Sequence, residues 1–166
     1  MKRFMRIAIP IFLGLGLALA IIFCYLTFFT GAFSPEKAVM GYLKASMTQD
    51  VSGMLKYSSE YQKIVLYGNK DLSNKKLKEN LKTAYKGIDN IYADSKITFS
   101  IDSITEIEKN SDEYANVLDA YEYMTGKTNI SAVTQVVIKV FVDGKQKQKS
   151  TVYAVKSGIS WYYTDI

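Results

Sequence analysis

Histidine is missing from all 166 residues of the chain. Its absence removes both the commonest general base near neutral pH and the commonest metal ligand. A Ser–His–acid triad cannot be built without it. Cys24 is the single cysteine, so no disulfide can form within the chain, and no CxxC metal or redox motif exists. Arginine is scarce beside lysine, 2 against 19, and both arginines precede residue 7. Residues 7 to 30 hold no charge of either sign, and every acidic group lies beyond Ser34. No acidic run has calcium-loop spacing, and no glycine-rich loop could cradle a phosphate, since Gly14 and Gly16 lie in the apolar run.

The net charge of +5 divides unevenly. Lys2, Arg3 and Arg6 supply three charges ahead of the apolar run, and from Ser34 onward 18 lysines face 16 acids. The basicity is therefore largely a property of one flank, and no nucleic-acid partner is expected. Beyond Ser34 the chain is thiol-free, which suits an oxidising space.

Ile7 to Thr30 reads IAIPIFLGLGLALAIIFCYLTFFT. A helix of this length spans roughly 36 Å, enough for a hydrocarbon core of about 30 Å. Pro10 falls in its first turn, where a missing amide proton costs least. The run is longer than a signal-peptide core, although Thr30-Gly31-Ala32 offers a cleavage site as an alternative. A lipoprotein reading would need a small residue where Phe23 precedes Cys24. The positive flank puts the N-terminus in the cytoplasm and the rest outside. Gly14 with Ala18, and Gly16 with Ala20, have the small-xxx-small spacing of packed membrane helices. The expected organisation is a tail at 1–6, a transmembrane anchor at 7–30, a short linker at 31–34 and a folded domain at 35–166, in a cell membrane.

Ser34-Pro35-Glu36 is a helix start, with a capping serine, a first-position proline and an acid at the positive end of the dipole. Val39, Tyr42, Leu43 and Met47 then share a face. A second short helix carries Val51, Met54 and Leu55. Residues 58–68 read equally as helix or extended chain. Ser73 or Asn74 can cap a third helix with a stripe of Leu77, Leu81, Tyr85 and Ile88. The period then changes. Ile97, Phe99 and Ile101 alternate with polar residues, and the register slips near Ser103, as at a bulge. Residues 112–125 return to helical spacing through Tyr114, Val117, Leu118, Tyr121 and Met124. Strands follow at Val133–Val142, after which Asp143-Gly144 turns the chain, at Ser150–Lys156, and along Ile159, Trp161 and Tyr163. Helices first and a strand meander afterwards predict an α+β fold.

The segment SPEKAVMGYLKASMTQDVSGMLKYS and the ending VYAVKSGISWYYTDI resemble the nuclear transport factor 2-like, or cystatin-like, superfamily. The likeness is to small membrane-borne domains of Gram-positive bacteria. Pro35, Glu36, Ala38, Val39, Tyr42, Leu43 and Ala45 match their opening helix, and Gly158, Trp161 and Tyr162 their closing strand. The resemblance implies a cone-shaped domain of three or four helices on a curved, mostly antiparallel sheet of about four strands, with a pocket at its open end. The helix at 112–125 is an insertion relative to the simplest members.

Thirteen tyrosines invite a binding role. Tyr42, Tyr57, Tyr85, Trp161 and Tyr163 are the candidate pocket-lining residues. No catalytic residue, cofactor or metal is expected. Isomerases of the superfamily use acids in the cone, but Asp102 and Glu106 fall on the polar phase of their strand. The expectation is a membrane-tethered binding or interaction module. Its partner would be another membrane or cell-envelope protein, or a small apolar ligand. The alternatives are a structural subunit of a type IV secretion or conjugation machine, and an isomerase or hydratase.

Overall fold

A computed structural model describes residues 31–68, 73–86 and 96–166. Residues 7–30, with Gly14, Gly16, Ala18 and Ala20, lie outside the described residues. Among the described residues no helix is long and apolar enough to cross a membrane.

Helix α1 runs Pro35–Met47, and the Ser34 side chain accepts a hydrogen bond from Lys37 N at 3.3 Å. It buries Ala38, Val39, Tyr42 and Ala45, but Met47 is 40% exposed. The apolar stripe thus ends one turn earlier than the spacing predicts, because the helix stops at Thr48 and Met47 has no neighbouring layer to face. Asp50 caps α2, Val51–Tyr57, by accepting from Gly53 N at 3.1 Å. The ambiguous stretch forms α3, Glu60–Tyr67, capped by Ser59, which accepts from Gln62 N at 3.0 Å. Helix α4, Asn74–Lys86, starts from Ser73, which accepts from Lys76 N, and buries Leu77. Ile88 and the side chain of Tyr85 lie outside the described residues.

Strand β1, Ile97–Glu106, leads through α5, Asp112–Thr125, to β2, Ile130–Val142, β3, Lys145–Ser157, and β4, Ser160–Thr164. The four strands pair antiparallel in the order β1-β2-β3-β4. The architecture is therefore α+β, with five helices among the described residues. The slip near Ser103 is a β-bulge: Ile101 pairs with Ile138 and Ser103 with Val137, leaving Asp102 between them. Asp143 (φ 50) and Gly144 (φ 77) are both left-handed, the requirement of the tight hairpin turn that follows β2. Asp143 also fixes the start of β1, accepting from Lys96 N and donating its own N–H to Lys96 O, both at 2.9 Å.

Strand β3 starts five residues before the expected Ser150. The five residues from Lys145 to Lys149 are exposed, so no apolar period marks them, yet a two-residue turn forces pairing to resume at once. Ile159 is not part of β4. It sits in the turn after Gly158 (φ 61) and is 59% exposed.

The sheet is covered on both faces. On one, Val136, Ile138, Val152, Ala154 and Tyr163 pack beneath Val39, Tyr42, Met54, Leu55 and Leu77 of the first helices. On the other, Ile130, Val133 and Val155 lie under Tyr114, Val117 and Tyr121 of α5. Burial on both faces explains why β2 carries apolar residues on both, interrupted by Thr134, Gln135 and Lys139.

The outer edge of β4 is closed by two short pairings. Ala32 N–H donates to Trp161 O at 2.9 Å, and Trp161 N–H donates to Ala32 O at 2.7 Å. Ser59 N–H donates to Tyr163 O at 2.8 Å. Covering an edge strand removes a template for unwanted pairing. The approach at Ala32 is so close that a Cβ on Gly31 (φ 26) would stand 2.6 Å from Trp161 O.

Gly31→Ala should therefore lower the stability of the protein by about 2–4 kcal/mol, combining a left-handed backbone with a backbone clash. Gly126 (φ 67) has nothing within 4 Å of an added Cβ, so Gly126→Ala should cost only the conformational part, about 1–2 kcal/mol. Thermal unfolding followed by circular dichroism ranks the two; equal losses would dismiss the clash.

Candidate functional site

The structure brings four of the five candidate aromatic residues into one apolar cluster. Tyr42 projects from α1 and Tyr163 from β4, and their rings stack at 3.9 Å between centroids with 6° between planes. Both are nearly buried, at 7% and 6% exposure. Tyr57, at the end of α2, lies over Gly41, where an added Cβ would come within 2.6 Å of its ring. Trp161 packs part-buried on the same core, with Lys156 Nζ 5.9 Å from its ring centroid. Tyr42 and Tyr163 thus each present a ring face to the other. Burial pushes the Tyr163 hydroxyl well above the usual tyrosine range, with Asp165 and Tyr42 adding to it.

A second aromatic group lies on the opposite face. Tyr114 and Tyr121 of α5 are buried against Val133 and Val155, and Tyr61, Tyr153 and Tyr162 pack around them. Tyr61 and Tyr121 are 6.3 Å apart between centroids. Burial, then the carboxylate of Glu60, pushes the Tyr121 hydroxyl up to about 12. Sequence reasoning did not assemble this group. The signal was available in the alternation of β4, which sends Tyr162 to the face opposite Tyr163, and in the Tyr114–Val117–Tyr121 spacing of α5. Tyr123, on the same helix, is 88% exposed.

Beyond α5 the second face becomes polar. In register, Gln135 lies across from Tyr153, Val137 from Thr151, and Lys139 from Lys149. At one end of this ladder Glu113 Oε1 accepts from the Tyr153 hydroxyl at 3.0 Å and from Gln135 Nε2 at 3.2 Å. Burial and then Glu113 raise the Tyr153 hydroxyl. At the other end Asp102, placed there by the bulge, bridges Lys139 and Lys149, the latter at 2.6 Å. Hydrogen bonds from both ammonium groups hold the Asp102 carboxyl below the usual carboxylate range. A carboxylate held low is a poor base. It relieves the repulsion of two lysines placed directly across a strand pair. Between the two ends lie Val137, half-buried, and Ser103 and Thr151, exposed. The four-residue step from Gln135 to Lys139 covers roughly 13 Å. The surface therefore carries the Glu113 carboxylate at one end, two lysines bridged by Asp102 at the other, and Val137 flanked by two hydroxyl side chains between. Among the described residues no group of three or more His, Cys, Asp or Glu side chains could hold a metal ion.

Comparison of the chain with protein-family models, with curated proteins and with solved structures finds no match.

Two outcomes follow from these charges. Tyrosines with raised hydroxyls favour the fold in their neutral form. Their contribution is intact below the ordinary tyrosine value near 10 and is lost as pH rises through the folded value, about 12 for Tyr121. Stability should fall above about pH 10, and Tyr121→Phe should flatten part of that fall in urea titrations across pH. Asp102→Asn leaves Lys139 facing Lys149. Its melting temperature should drop slightly at low salt and recover most of the loss at about 0.5 M salt, where screening is strong.

Proposed function

We propose that the chain is a membrane-tethered, extracytoplasmic interaction module without catalytic activity, built on a cone-shaped domain of the nuclear transport factor 2-like kind. The observation that carries this reading is the seam at Gly31 and Ala32. The apolar run ends at Thr30, and Ala32 is already hydrogen-bonded to Trp161. A domain fixed one or two residues after its anchor has no slack with which to range from the membrane, so its partner is held or embedded nearby. The polar ladder from Glu113 to Lys149 supplies the recognition surface, and its chemistry suits another envelope protein better than an apolar small molecule. The stacked Tyr42 and Tyr163 and the ion-paired Asp102 support a non-catalytic reading. The helices-then-meander order supports the superfamily assignment.

The test uses Thr151, which is exposed in the middle of the ladder. In a Cys24→Ser background, Thr151→Cys should react with a membrane-impermeant maleimide in intact cells. Labelling only after lysis would reverse the orientation. A photo-crosslinking residue at 151 should give a discrete protein adduct in membranes, while the same residue at 80, on the exposed side of α4, should not. Equal adducts from both positions would remove the ladder from the reading.

A further inference from the structure

Ala32 pairs with Trp161, so the residues on either side of this pair form one corner of the domain. Phe33 follows Ala32 and is 50% exposed; Ile159 precedes Trp161 by two and is 59% exposed. No charge occurs from Gly31 to Pro35 or in the turn Ser157-Gly158-Ile159-Ser160. Trp161 and Tyr162 stand behind the turn, both part-buried, and the Lys156 ammonium lies over the Trp161 ring. Exposed apolar side chains backed by Trp, Tyr and a lysine are the composition of a surface that sits in the headgroup layer.

We infer that this corner, led by Ile159 and Phe33, is a lipid-contact site that seats the domain on the bilayer. Its occupant is the membrane surface, because the 24-residue uncharged run from Ile7 to Thr30 ends at this corner in the sequence. Two exposed apolar side chains would bind vesicles feebly by themselves. Tethering makes the contact intramolecular, and the effective concentration then reaches the millimolar range or above. The other exposed apolar residues, Met47, Val65, Leu66, Ile104 and Tyr123, are remote in sequence from both segments of the corner. Seating fixes the orientation of the domain, so the polar ladder on the sheet is presented at a constant height to a partner in the same membrane.

The inference rests on the tethered reading, and one experiment separates their failures. The full chain carrying Cys24→Ser and a single Ile159→Cys, Phe33→Cys or Tyr123→Cys is reconstituted into phosphatidylcholine vesicles and labelled with an environment-sensitive fluorophore. Alkaline carbonate extraction tests insertion first. Probes at 159 and 33 should be quenched at least about twofold by lipid bearing a nitroxide near the headgroup, the depth of roughly 5–10 Å that interfacial side chains reach. The probe at 123 should be unaffected. An inserted chain with an unquenched 159 probe overturns the lipid seat and leaves the tether standing. Equal quenching at 123 overturns the site as well. A chain released by carbonate overturns both readings. Ile159→Ser with unchanged circular dichroism gives a second variant, in which quenching at 33 should fall by at least half.

Discussion

Tyr42 and Tyr163 lie face to face, and most of the domain is arranged around that contact. The stack joins α1 to β4, and everything that closes β4 follows from where it holds the strand. With Tyr163 turned toward α1, its neighbours Tyr162 and Thr164 turn toward the opposite face, which α5 covers. The carbonyl of Tyr163 is then directed outward, where Ser59 N–H meets it, and Trp161 is directed at Ala32. Offset or stacked aromatic pairs add about 0.5–1.5 kcal/mol beyond the area they bury. The larger consequence is geometric: five residues of β4 hold the first helix, the junction of α2 with α3, and the first described residues of the chain.

The sheet is unequal along its length. Near β4 both faces are dry. Toward the β2–β3 hairpin, α5 no longer reaches, and the second face changes from valine and tyrosine to glutamine, threonine and lysine. The bulge at Asp102 belongs to that change. It delivers a carboxylate to a place where Lys139 and Lys149 would otherwise repel each other, and it twists the edge strand as bulges do. The same device keeps β1 an awkward template for foreign strands.

Much of this was legible in the sequence because it rests on local chemistry. Ser34-Pro35-Glu36 starts a helix, Asp143-Gly144 turns a hairpin, and the broken alternation at Ser103 marks a bulge. What could not be read depends on layers far apart in sequence. Met47 has the right spacing but no layer opposite it. Lys145 to Lys149 form a strand without any apolar period, because pairing alone holds them. Tyr61, Tyr121 and Tyr162 come from three separate elements and meet only once the second face of the sheet is covered. Tyr42, Tyr57, Trp161 and Tyr163 meet in one cluster because of the Tyr42–Tyr163 stack, which no spacing rule specifies.

The seam between Ala32 and Trp161 also has a consequence for biosynthesis. Its two halves lie roughly 130 residues apart in the chain, and the other contacts that close β4, from Tyr42 and Ser59 to Tyr163, span roughly 100 or more. A ribosome adding about 5–20 residues per second needs several seconds to pass from one to the other. During that interval α1 has neither its aromatic partner nor its strand edge. The order of synthesis thus leaves the domain an open chain until Trp161 and Tyr163 arrive to lock it.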